Sequence, residues 1–160
     1  PRLGDKYALS VTTALEHYTA ILAHALFLEP LATNQNIAPQ MLELLHWHAA
    51  EEIEHKALCF DVLQQVDDSY TLRVSGMVFA TVLLFSCIGV GHFYFIAKDK
   101  DKSIIKMPFE TYILLRTIVF GEIGKSTSKH LLSYFRKDFH PNDINDRYLT
   151  DKFFADKAYA

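Results

Sequence analysis

The sequence predicts an all-α fold, a bundle of about four long helices followed by an irregular C-terminal tail. Three observations predict it. Apolar residues recur at helical spacing through long segments, the few glycines and prolines fall between those segments, and no alternating strand pattern appears. The 160 residues suffice for one domain with a real core, read here as a single helical domain over 1–160.

The first helix is expected from about Tyr7 to Leu28, stopping before Pro30. The polar stretch "ATNQNIAPQ" then turns the chain and places Pro39 in the first turn of a second helix, where its missing N–H costs nothing. That helix is expected to run to about Val66 and to end at "DDSY". A third is expected from about Leu72 to Ala97, ending in the charged "KDKDK". A fourth is expected from near Pro108 to about Lys137, interrupted around Gly121–Gly124. The tail "FHPNDINDRYLTDKFFADKAYA" reads as irregular, with one short terminal helix.

Half of the residues are hydrophobic and the net charge is only −3. Both values exclude a disordered tail, and no lysine or arginine stripe offers a footprint for nucleic acid. Cys59 and Cys87 lie far apart in apolar helical contexts, with neither metal-ligand spacing nor a disulfide framework. A reducing, cytoplasmic setting follows. The opening "PRLGDKYALS" shows no signal peptide and no initiator methionine, which points to a processed or truncated chain.

The third segment admits two readings. Residues 74–97 contain no Asp, Glu, Lys or Arg. As a helix those residues would cover roughly 36 Å, enough to span a bilayer. They would equally serve as a central helix buried on all sides. The apolar "YILLRTIVFGEIG" is the natural hairpin partner in either case, although Arg116 and Glu122 would be costly against lipid. The expected location is therefore cytoplasmic, with inner-membrane association through 74–97 left open.

The chemistry concentrates in "WHAAEEIEHK", residues 47–56. At alternating steps of four and three, Met41, Leu45, His48, Glu52, His55, Cys59, Val62 and Val66 share one helix face. Both ends of that stripe are apolar, so it is expected to face inward. Burying a carboxylate and two imidazoles without partners would cost several kcal/mol. A metal ion would compensate directly; the bland alternative is a hydrogen-bonded His/Glu network. Glu52 and His55 form Glu-x-x-His, the ligand pair that helical bundles use for dinuclear iron or manganese. His48 stands one turn earlier, and Glu51 one turn before His55 is placed to orient its ring. Glu54 points away.

The first helix offers a partner. Its stripe Leu9, Thr13, Glu16, Ala20, Ala23, Phe27 sets one carboxylate among small residues. A lone Glu followed by Glu-x-x-His is the order found in di-metal bundles. The candidate ligands are Glu16, Glu52 and His55, with His48 a further ligand or a supporting donor and Glu51 a neighbour that orients His55; an ordinary surface role is the alternative for Glu16. His17 and His24 occupy a neighbouring face and are expected to be structural. A complete bundle site needs twice this set, so a helix pair preceding this chain or a second copy about a two-fold axis would supply the rest.

Together, "ALEHYTAILA", "WHAAEEIEHKALCFDVLQQV", Arg73 leading the apolar helix and the late "YFRKDFHPND" resemble the bacterial family of predicted metal-dependent hydrolases. The resemblance implies a ferritin-like helical fold, a divalent metal, and the ligand roles already named for Glu16, Glu52 and His55. It also implies that this chain is the C-terminal portion of a longer protein, whose preceding helix pair carries another Glu-x-x-His-like motif. His140 matches a family motif and is expected to serve a turn with Pro141 and Asn142. A dinuclear site activates water for hydrolysis; a carboxylate-rich one suits iron or manganese and oxygen chemistry better than zinc, although zinc remains open. Metal storage or a purely structural bundle is the non-enzymatic alternative. The hydrophobic third and fourth helices suggest a small, apolar or lipid-like substrate.

Overall fold

The computed structural model describes residues 2–28, 37–98, 111, 112, 116 and 122–158. Six α-helices carry these residues: α1 (Leu3–Leu28), α2 (Pro39–His55), α3 (Leu58–Val66), α4 (Tyr70–Lys98), α5 (Glu122–Ser133) and α6 (Arg147–Ala158). A 3₁₀ turn, Pro141–Asp143, precedes α6. No strand occurs among the described residues, and the all-α expectation holds.

Local chemistry explains where the helices depart from the expected limits. α1 starts earlier because the Arg2 carbonyl accepts from the Asp5 and Lys6 amides while the Asp5 carboxylate accepts from the Arg2 amide. α4 starts at Tyr70 because Ser69 caps it: its hydroxyl accepts from the Leu72 amide and its carbonyl from the Arg73 amide. The single second helix expected over 39–66 is two helices. The ladder breaks at Lys56–Ala57, where Lys56 turns its ammonium into the body. Most of 108–121 in the expected fourth helix lies outside the described residues; its C-terminal part is α5, which ends at Ser133 rather than near Lys137.

α1 is the hub, packing against α2, α3, α4 and α5. Its contacts with α4 run in the same direction along both helices, from Ser10 against Leu72 and Gly76 to Tyr18 against Thr81. At the crossing a Cβ on Gly76 would fall 2.8 Å from the backbone carbon of Ser10, so only glycine permits this approach. One core cluster joins Ala14, Tyr18 and Ile21 of α1 to Phe60, Met77, Ala80, Tyr134 and Phe139. A second joins Ala23, Ala49, Ile53 and Leu149.

Two buried cations fasten the C-terminal segment to this core. Arg73 donates to the carbonyls of Tyr134 (2.7 Å) and Arg136 (2.6 Å), just past the C-terminus of α5, where a helix dipole favours positive charge. Its guanidinium sits 5.1–5.8 Å from the ring centroids of Tyr134, Tyr70, Phe60 and Phe139. Lys56 is paired with Asp146 and donates to the Ile144 carbonyl at 2.6 Å. Asp146→Ala would strand the buried ammonium and is expected to cost about 3–5 kcal/mol in urea unfolding. Replacing both partners together, Lys56→Met with Asp146→Leu, is expected to cost less than Asp146→Ala alone. A double variant weaker than that single one would show that the pair itself supplies net stability.

Candidate metal centre

α1 and α2 pack antiparallel through small residues, Ala20 and Ala23 against Ala49 and Ala50, all buried. Close approach through alanines brings the carboxylates on their flanks together. Glu16 lies near enough to Glu52 and His55 to sense both. Burial pushes its carboxyl above the usual carboxylate range, the Glu52 charge pushes it further, and His55 pulls it back. His48 Nε2 lies 3.4 Å from Glu52 Oε1. Cys59 borders the same place: burial, and then the Glu16 charge, raise its thiol pKa and keep it protonated. Glu51 is half-buried on α2.

The expectation that His48, Glu52 and His55 point into a closed core is corrected. The inward face of α2 and α3 is Ala49, Ile53, Lys56, Phe60 and Leu63. The expected seam lies about a quarter of a turn from it. Met41, His48, His55 and Val62 are exposed, Leu45, Glu52 and Cys59 are half-buried, and the His48 side chain is 65% exposed. Glu54 faces solvent as expected. The α1 stripe is placed better: Thr13, Ala20 and Ala23 are buried, with Glu16 at the edge.

Three seam residues, Leu45, His48 and Glu52, line an open, largely apolar groove of about 320 Å³ between α1 and α2, together with Leu22 and Leu26. Among the described residues no three His, Cys, Asp or Glu side chains converge closely enough to hold a metal ion as they stand. The donor types at Glu16, Glu52, His55 and His48 suit a divalent ion, and the mutual repulsion of Glu16 and Glu52 is what such an ion would relieve.

The other singled-out histidines are structural. His17 is buried, donates from Nε2 to the His130 carbonyl at 3.1 Å, and packs on Tyr134 and Phe139. His24 lies 3.6 Å from Asp146 and against the His130 ring. His140 caps the 3₁₀ turn, accepting from the Asn142 amide, and its Nε2 reaches Asp61 at 2.9 Å. The turn role expected for it with Pro141 and Asn142 is the one it has. His46, stacked on Phe27 with its Nε2 unpaired, and the Lys56–Asp146 pair drew no notice in the sequence; Lys56 and Asp146 stand 90 positions apart.

The family model for predicted metal-dependent hydrolases matches residues 2–145, which contain Glu16, His48, Glu51, Glu52 and His55. The chain belongs to this family. Membership in the predicted metal-dependent hydrolases implies a divalent metal. No curated protein and no solved structure matches the chain.

Burial drives the His17 pKa down from 6.5 to about 4. The folded value lies below the unfolded one, so the ring is neutral when folded and must be bound uncharged. Its contribution is full above about pH 6.5 and is lost as pH falls toward 4. In chelator-treated protein, stability is expected to drop by roughly 2 kcal/mol between pH 7 and pH 5, and the slope to flatten in His17→Gln. An unchanged slope in that variant would place the pH dependence elsewhere.

Proposed function

We propose that this chain carries one half of a dinuclear metal site, of ferritin-like type, that hydrolyses an ester or related bond in an apolar, lipid-like substrate. Glu16, Glu52 and His55 would hold metal, with His48 and Glu51 adjoining. The observation that carries the reading is that Glu52 lies near both Glu16 and His48, with Glu52 and His48 lining an apolar groove. A bound divalent ion would supply Lewis-acid activation of water. Glu52 would hold metal together with Glu16 and His55. Burial and the Glu52 charge raise the Glu16 pKa above the usual carboxylate range. The groove residues Leu22, Leu26 and Leu45 would take the apolar part of the substrate and exclude water around it. The remaining donors would come from a further helix pair or from a second copy laid on the same open face.

Iron or manganese fits the carboxylate majority best. The test uses full-length protein reconstituted separately with manganese, iron and zinc, assayed on esters of increasing acyl length. Hydrolysis is expected to require metal and to fall by about 100-fold or more in Glu52→Ala and His55→Ala. Leu45→Asp is expected to raise KM for long acyl chains while leaving short ones little affected. Oxygen consumption by the iron form without ester hydrolysis in any form would replace this reading with an oxidative one.

A further inference from the structure

α4 extends past the body it packs on. Tyr18 of α1 hydrogen-bonds Thr81, and Leu84 is the last α4 residue packed against the core cluster. Beyond that point the helix continues to Lys98. Residues 82–97 contain no Asp, Glu, Lys or Arg and cover roughly 24 Å as a helix.

Most of these side chains are apolar and exposed around the helix, Ile96 alone being buried and Leu84 and His92 half-buried. Val82, Ile88 and Tyr94 point about a third of a turn apart, and all three are exposed. Val90 is 71% exposed and Phe95 73%. A helix that docks on a soluble partner shows an apolar stripe and a polar back; this one has no polar back. Tyr70–Lys98 is long and apolar enough to cross a membrane, with a mean hydropathy of 2.1 over its best stretch, only 17% of it buried in the body. A core helix of the same composition would be mostly covered.

The polar details fit the same environment. Tyr94 and Lys98 pair at the far end, the ammonium 5.9 Å from the ring centroid, as an aromatic residue and a cation do at a lipid headgroup boundary. The imidazole on this stretch, His92, pairs with the Thr111 hydroxyl at 3.2 Å, so that ring nitrogen is satisfied.

We infer that residues 82–97 insert into a lipid bilayer and hold the helical body at its surface. A second copy would cover one side of α4; lipid covers all of them. The inference stands apart from the metal reading, and its test reads neither metal nor activity.

The test uses the protein's own cysteines. Cys87 is exposed on the inserting stretch, while Cys59 lies beside Glu16 on the body. Full-length Cys59→Ser protein carries an environment-sensitive dye at Cys87, and Cys87→Ser protein carries it at Cys59. Both are mixed with vesicles of phosphatidylcholine and phosphatidylglycerol containing doxyl-labelled lipid. The dye at Cys87 is expected to be quenched by the lipid label and shielded from aqueous iodide; the dye at Cys59 is expected to show the reverse. Val90→Lys with Phe95→Lys, at positions exposed in the free body, is expected to lower vesicle partitioning by at least about tenfold without changing the melting temperature. The inference is overturned if the Cys87 dye stays open to iodide with vesicles present. It is equally overturned if Cys87 cross-links to Cys87 of a second copy in lipid-free buffer while lipid quenching is absent.

Discussion

The ammonium of Lys56, buried between Asp146 and the Ile144 carbonyl, sets the phase of the helix that carries His48, Glu52 and His55. A buried charge of this kind cannot be left unpaired, so the end of α2 is committed to one rotation about its axis. With Lys56 turned inward, its neighbour His55 is turned about 100° away. Glu52 is left at the boundary and His48 outside it. The same pair ties α2 to the loop before α6, and Arg73 ties α4 to the end of α5. The C-terminal segment thus works as a clasp on α2 and α4, and the groove between α1 and α2 is the face it leaves free.

The fold class and most helix limits were legible because they rest on local chemistry: apolar periodicity, the polar turn before Pro39, and the glycine- and proline-poor segments. The grouping of Glu16 with Glu52 and His55 was legible for a related reason. Three- and four-residue spacings place those groups on facing stripes whatever the exact phase. The phase itself was not legible. The true inward stripe, Ala49, Ile53, Lys56, Phe60 and Leu63, carries a lysine at its middle, which a sequence reading assigns to solvent. Only Asp146, far away in sequence, makes that lysine an inside residue. The break at Lys56–Ala57 escaped notice for the same cause, since neither residue is a helix breaker.

The seam that misled the phase still meets the groove: its Leu45, His48 and Glu52 line the opening between α1 and α2 beside Leu22 and Leu26. Glu16 lies close enough to Glu52 to sense its charge, and burial first and that charge second raise its pKa. A divalent cation bound there would relieve the repulsion between the two carboxylates.

The most direct test is elemental analysis of purified full-length protein beside its Glu16→Ala and Glu52→Ala variants, each with helicity checked by circular dichroism. The account predicts a stoichiometric divalent metal in the wild type and its loss from both variants while the helices stay intact. A wild type free of metal after growth with iron, manganese and zinc supplied would contradict it, as would variants that retain the full complement.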